Sequence, residues 1–200
     1  MMSKTFTDAV ESRRSVYAIS GEPVISDERI EELIVHAVTH TPSAFNSQSG
    51  RVIVLLGNSH KKLWKITEDT LRKIVPAERF HTTEERIASF GSGYGTVLFF
   101  EDMALVESLQ NQFPAYKDNF PIWSLQSSGM LQYVIWTSLQ EEGFGSSLQH
   151  YNPLIDDEVK RQWEVPDSWK LIAQMPFGKP LIEAGEKEIK PVEDRLKVFK

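Results

Sequence analysis

The sequence contains no cysteine, which removes disulfides, zinc–thiolate sites, iron–sulfur clusters and a thiol nucleophile together. Any redox chemistry has to come from a bound cofactor. No apolar run approaches the roughly 18 to 20 residues of a membrane span. The start, Met1-Met2-Ser3-Lys4-Thr5-Phe6-Thr7-Asp8, lacks the apolar block of a secretory signal, so a soluble cytoplasmic protein is expected. Basic residues are in the minority: 22 Lys and Arg against 28 Asp and Glu leave a net charge of −6. That balance argues against a nucleic-acid surface, which needs concentrated positive charge. There is no Walker loop, no G-x-S-x-G elbow and no hydrolytic triad, which disfavours a nucleotide hydrolase, a serine hydrolase or a metal enzyme.

What is present suits one domain over residues 1–200, with 40% apolar residues to form a core. Residues 4–14 read as a short helix. Ser26 caps a second helix running to about His40, whose apolar stripe is Ile30, Leu33, Ile34, Ala37 and Val38. Arg51 to Leu56 reads as a buried strand, 59–74 as a helix, 76–93 as a mixed helical segment and 96–100 as a second strand, with Asp102 capping the helix after it. Pro121 opens the longest helix, to about Glu142, which is apolar nearly all round and therefore enclosed by core or by a partner; Gly143 ends it. A third strand is expected over 145–150, a helix over 155–163 and a fourth strand over 170–175. The charged tail from Glu183 reads as extended, lying on another part of this chain or on a second subunit. Strands alternating with helices give a three-layer α+β or α/β domain.

Two motifs mislead. Gly91-Ser92-Gly93-Tyr94-Gly95 precedes a strand rather than following one, so it reads as a flexible turn and not as a dinucleotide loop. His36, His40 and Glu32 share a helix face, but without a further ligand nearby they read as a solvated face, with no metal expected. Arg13 and Arg14 are more informative. They fit either a grip on two parts of an anionic ligand or dipole compensation at a helix end. The polar loop from Ser43 to Gly50 offers hydroxyls and carboxamides that suit either a heteroaromatic ring edge or ordinary turn chemistry.

Taken in order, Arg13-Arg14-Ser15-Val16-Tyr17, Pro42-Ser43-Ala44-Phe45-Asn46-Ser47-Gln48, Gly143-Phe144-Gly145, Pro176-Phe177-Gly178-Lys179-Pro180 and Arg195 resemble the nitroreductase family, above all its short branch of about this length. The resemblance spans essentially the whole chain. It implies an α+β fold, a homodimer whose C-terminal tail reaches the partner, and two FMN sites built from both chains. On that pattern Arg13 and Arg14 contact the phosphate and the pyrimidine side of the ring, with Ser15 beside them. Ser43, Asn46 and Gln48 address the ring and other polar edges of the cofactor. Gly145 and Ser146 direct backbone N–H groups at flavin N5 and O4, Lys179 joins the contacts, and Arg195 closes over the phosphate. Tyr17 stands where many members carry a cation beside flavin N1 and O2, a charge that Arg14 or Arg51 would have to supply instead.

The flavin carries the hydride chemistry and no side chain is expected to be catalytic. NADH or NADPH and a small aromatic acceptor, a nitroaromatic or a quinone, would use one stacking site in turn. Phe120 and Trp123, with Phe113 and Tyr116, are candidates for a lid over that site, against a plain core-packing role. Tyr151 is expected to be peripheral at most. A flavin-binding regulatory or stress-sensing protein with incidental reductase activity is the alternative that shares every motif.

Overall fold

The computed structural model of the chain describes residues 5–200. The first helix, α1 (Phe6–Ser12), starts from a capping box in which Thr5 and Asp8 exchange hydrogen bonds at 2.8 and 3.3 Å. The predicted start of this helix at Lys4 lies outside the described residues. Its predicted end was too late: Arg13 is already extended, with φ −65° and ψ 118°, so neither Arg13 nor Arg14 is helical. A two-residue strand with no sequence signal, β1 (Ile19–Ser20), precedes α2 (Asp27–His40), whose Ser26 hydroxyl accepts from the Arg29 N–H at 3.3 Å as expected. Next come β2 (Gly50–Leu56), α3 (Gly57–Arg72), α4 (Phe80–Gly91) and β3 (Gly95–Asp102). The order ends with α5 (Met103–Gln112), α6 (Phe120–Glu141), β4 (Gly145–Ser146), α7 (Asp156–Gln162) and β5 (Trp169–Pro180).

The strands form one antiparallel sheet in the order β1-β5-β3-β2, with β4 on the outer part of β5. Its centre is β3, which is apolar at every turn of the pleat. Leu98 and Phe100 point to one face and join Leu63, Trp64, Phe90 and Leu171; Val97 and Phe99 point to the other and join Ile30, Ile135, Leu139 and Phe177. A strand buried on both faces needs helices above and below it. α3, α4 and α7 cover one side, and α2 and α6 cover the other. The fold is therefore the three-layer α+β sandwich that the resemblance implies.

Strands β4 and β5 differ most in length from expectation, and one residue bears on both. β5 runs on to Pro180, past Pro176, whose missing N–H leaves a gap in the ladder. Opposite that gap β4 stops at Ser146 instead of His150, leaving only a weak Ser147 N–H to Pro176 bond at 3.4 Å and an isolated bridge between Gln149 and Gln174. The glycine run before β3 is a turn, as expected, but a tight one. A Cβ on Gly95 would meet the Leu56 and Phe177 side chains at 2.6 Å, and one on Gly93 would meet Ile19 at 2.7 Å. Close packing requires those glycines; freedom of the backbone does not.

Helix α6 buries one face through Phe120, Ser124, Ser127, Leu131, Ile135 and Leu139. Its other face leaves Ile122, Leu125, Met130 and Tyr133 exposed. Gly143 ends it with φ 96°, the left-handed cap expected there. Among the described residues no helix is long and apolar enough to cross a membrane.

Beneath β3 lies a closed polar chain. Trp64 Nε1 donates to Thr96 Oγ1 at 3.0 Å, which frees the Thr96 proton for His60 Nδ1 at 2.8 Å. His60 Nε2 then donates to the Gly91 carbonyl at 3.2 Å. Only a neutral imidazole completes this chain, and burial lowers the His60 pKa to about 4 from 6.5. The unfolded chain therefore takes up a proton below pH 6.5 that the folded chain refuses. His60 contributes fully above pH 6.5, and its contribution is lost as pH falls towards 4. Thermal melts should show wild type losing stability across that window at up to about 1.4 kcal/mol per pH unit. A His60→Gln variant should lose that part of the slope; an unchanged slope overturns the assignment.

Candidate functional site

Past α1 the chain is extended at Arg13 and forms a β-bridge at Ser15, so neighbouring side chains here face opposite ways. Ser12, Arg14 and Val16 line a cavity of about 390 Å³ with Gly145 and the tail residues 180–184. Arg14 donates to the Gly185 carbonyl at 2.6 Å. Arg13, Ser15 and Tyr17 are absent from that lining. The Arg13 guanidinium lies 4.4 Å above the Trp136 ring and has no ion pair among the described residues. Ser15 bridges to Ser146 in parallel, with the Val16 N–H bonded to the Ser146 carbonyl at 2.9 Å. Tyr17 opens onto a further cavity of about 530 Å³. Arg13, Ser15, Tyr17 and Ser146 thus form one cluster, while Arg14 faces away from it into the cavity that Gly145 also lines.

Ser43, Asn46 and Gln48 form a second cluster at the other end of the sheet. Their loop is held in an unusual conformation: Phe45, Asn46 and Gln48 have φ of 56°, 51° and 48°. For Phe and Gln such angles cost roughly 1 to 3 kcal/mol each. Local bonds offset that strain. The Ser43 hydroxyl accepts from the Gln48 N–H at 2.9 Å, Arg51 donates to the Gln48 carbonyl at 2.6 Å, and Ser127 on α6 accepts from the Ala44 N–H at 3.4 Å. The strained turn also lays Phe45 across the proposed lid. Its ring stands 5.1 Å from Phe113, 5.3 Å from Phe120 and 5.9 Å, nearly parallel, from Trp123. Phe120 is buried, while Phe45 is half exposed at the head of this group. Sequence reasoning missed Phe45, because a lone aromatic in a polar loop gives no periodic signal.

The separation of the clusters comes from strand register. Ser146 lies opposite Phe177, and Phe177 opposite Gly95; Gly50 lies opposite Glu101. Six steps along β3 at roughly 3.4 Å put the two ends about 20 Å apart. The remaining predicted residues join neither cluster. Lys179 pairs with Glu22 beside β1, and Arg195 in the exposed tail bonds only the Lys190 carbonyl among the described residues. Arg51 pairs with Asp102 at 3.1 Å, far from Tyr17. His36 and His40 are exposed, and no metal-binding group occurs among the described residues. Tyr151 packs edge-on against Trp64 in the core.

Against this geometry, the model of the Nitroreductase family matches residues 10–179. The chain belongs to the nitroreductase family. It is 36% identical over 189 residues to HBN1 of Saccharomyces cerevisiae, a protein with a provisional nitroreductase name, covering 92% of each chain. Among solved structures it is similar to the nitroreductase CinD of Lactococcus lactis bound to chloramphenicol, with TM-score 0.90, 42% identity, and 98% of this chain and 100% of that one covered. CinD bound to 4-nitrophenol superposes equally well, at 43% identity over the same shares of the two chains. A more distant nitroreductase-fold protein from Exiguobacterium sibiricum, at 13% identity and TM-score 0.74 over 100% of this chain and 99% of that one, was solved with FMN. Family and named relatives together make the chain a nitroreductase-type oxidoreductase.

The second cluster includes a group absent from the sequence reading. Glu101 on β3 is fully buried, and its Oε2 accepts from Ser49 at 2.7 Å while Oε1 has no partner among the described residues. It borders a cavity of about 180 Å³ with Ser43, Gln48 and Ser127. Burial pushes its carboxyl above the usual 4.5, against the opposing pull of the Ser49 bond and of Arg51. A raised folded pKa means the carboxylate costs stability as pH rises above about 4.5. Glu101→Gln should therefore melt higher than wild type at pH 8, with the gap shrinking at pH 5. A gap equal at both pH values rules this out.

Proposed function

We propose that the chain works as a homodimer that binds FMN between its subunits and uses NADH or NADPH to reduce nitroaromatics, quinones or similar flat acceptors. The observation that carries this reading is that the two polar clusters lie towards opposite ends of β3, a strand span of about 20 Å. One flavin ring cannot touch both within one chain. Two copies that bring the first cluster of one against the second cluster of the other complete a site twice over. The surfaces left over suit such pairing. The outer face of α6 shares an apolar groove of about 790 Å³ with α1, and the exposed tail carries Ile182, Ile189, Leu196 and Phe199. Neither is stable facing water alone.

The first cluster fits an FMN. Arg13 offers an unpaired guanidinium for the phosphate, and the fully buried Ser146 Oγ has no hydrogen-bond partner among the described residues. When bound, FMN supplies hydride acceptance and donation at N5. The chain's own residues bind and orient. Arg13 and Ser15 hold the cofactor, Ser43, Asn46 and Gln48 of the partner copy meet its polar edges, and Phe45, backed by the buried Phe120 and by Trp123, presents aromatic surface to the acceptor. Aromatic stacking reads flatness more than substituents. CinD, bound to chloramphenicol and to 4-nitrophenol, supports acceptors of this kind. One stacking site used in turn by donor and acceptor gives ping-pong kinetics.

The purified protein should be yellow and should oxidise NADH or NADPH with 4-nitrophenol or a quinone, giving parallel double-reciprocal lines. A yellow protein without turnover favours the regulatory alternative, and a colourless one that binds no added FMN ends the proposal. Arg13→Ala should weaken FMN by roughly 1.5 to 3 kcal/mol, read by flavin titration. A second variant tests the two-chain site: Leu125→Glu with Met130→Glu should elute as a monomer and lose its flavin. A monomer that keeps its flavin overturns the shared site.

A further inference from the structure

The cavity of about 180 Å³ beneath the loop before β2 is bordered by Glu101 and Thr41, whose buried Oε1 and Oγ1 atoms have no partner among the described residues. Oε1 is the Glu101 oxygen turned to the cavity. It lies 3.9 Å from where a Cβ on Gly50 would stand, and Gly50 is part of the lining; Oε2 is held by Ser49, which is not. Glu101 is fully buried, and buried charges are paired or bound to a cation. Arg51, also in the lining, does not pair with it, because its guanidinium is engaged by Asp102 and by the Gln48 and Gly50 carbonyls. Ser43 and Ser127 add hydroxyl oxygens that each accept one backbone N–H and keep a second lone pair. The cavity also lies at the C-terminus of α2, since Val38 and the cap residue Thr41 both line it. A helix C-terminus carries partial negative charge on carbonyls without intrahelical partners.

A carboxylate, hydroxyl oxygens and a helix C-terminus together favour a cation that takes oxygen ligands. The charge present favours a monovalent one. Glu101 is the only acidic residue in the lining, and no group of three His, Cys, Asp or Glu residues suited to a metal occurs among the described residues. Hydration favours a large ion: lithium holds its water tightly, whereas potassium and ammonium, alike in radius, exchange it readily for protein oxygens. We propose that this cavity binds a monovalent cation of the potassium and ammonium class between Glu101 Oε1 and Thr41 Oγ1. The bound cation neutralises the buried carboxylate. It also ties the end of α2 to the loop that holds Phe45, Asn46 and Gln48 in their left-handed backbone. The site does not depend on the flavin reading, since every group invoked belongs to one chain.

Thermal melts of the purified protein at pH 8, in potassium, ammonium, lithium and choline chloride at equal ionic strength, test the site. Potassium or ammonium at ten times its Kd should raise the wild-type midpoint by roughly 3 to 6 °C over choline, and lithium should match choline. A larger response to potassium assigns a metal ion held by oxygens. A larger response to ammonium assigns a protonated amine donating hydrogen bonds to the same atoms. Glu101→Gln, which keeps the shape without the charge, and Thr41→Val, which keeps it without the oxygen, should each lose the rise. Wild-type crystals soaked in thallium(I) acetate, a heavy stand-in for either ion, should show an anomalous peak between Glu101 and Thr41. Equal wild-type midpoints in all four salts, a rise that both variants retain, or a thallium map without that peak overturns the proposal. Flavin absorbance in each sample reads the cofactor proposal separately, so a colourless protein that keeps the cation response sinks only the flavin reading.

Discussion

The burial of β3 on both faces is the constraint that shapes everything around it. Val97, Leu98, Phe99 and Phe100 leave no wet side, so helices must cover the sheet above and below. Each end of the strand then opens onto different loops. At one end the glycine turn lets β4 and the extended N-terminal segment approach Phe177; at the other, Glu101 meets the loop before β2. The length of one strand thereby sets the distance between the two polar clusters. The proposed flavin site, completed by two copies, would answer that distance.

Much of the fold was legible because burial writes itself into composition. The stripe of α2, the β-branched run of β2 and the unbroken apolar run of β3 each gave their element, although Val38 of the α2 stripe is exposed and β2 is a half-buried edge strand rather than a buried one. Errors arose where partner strands decide the outcome. β1 has two residues and no pattern, and exists because Ile19 and Ser20 meet Pro180 and Lys179. The extension of β5 beyond Met175 goes against Pro176, and only the register across from β3 and β4 shows how a proline is tolerated there.

The sequence motifs supplied candidate site residues but not their arrangement. Arg13 and Arg14 looked equivalent as a dipeptide, yet the extended backbone turns them to opposite sides, which no composition argument could reveal once the segment was read as helical. Phe45 was not singled out. Phe45 needs a left-handed backbone to reach Phe113 and Trp123, and sequence gives no warning of that strain.

Charge placement connects these points. The chain is acidic overall, so its cations have abundant carboxylates to pair with, and many do: Arg29 with Glu142, Arg72 with Glu84, Arg161 with Glu158, Lys179 with Glu22. Such surface pairs contribute little stability individually. Their consequence lies elsewhere, since a paired arginine is poorly disposed to bind an anion. Arg13, turned onto an aromatic ring, keeps out of any ion pair among the described residues, near the segment where Ser146 has a buried hydroxyl with no partner among them. In a protein of net charge −6, a cation withheld from the available carboxylates is a local attraction for an anion. On the proposed function, an anionic cofactor would find its site by that local field, while the surrounding negative surface disfavours unrelated polyanions.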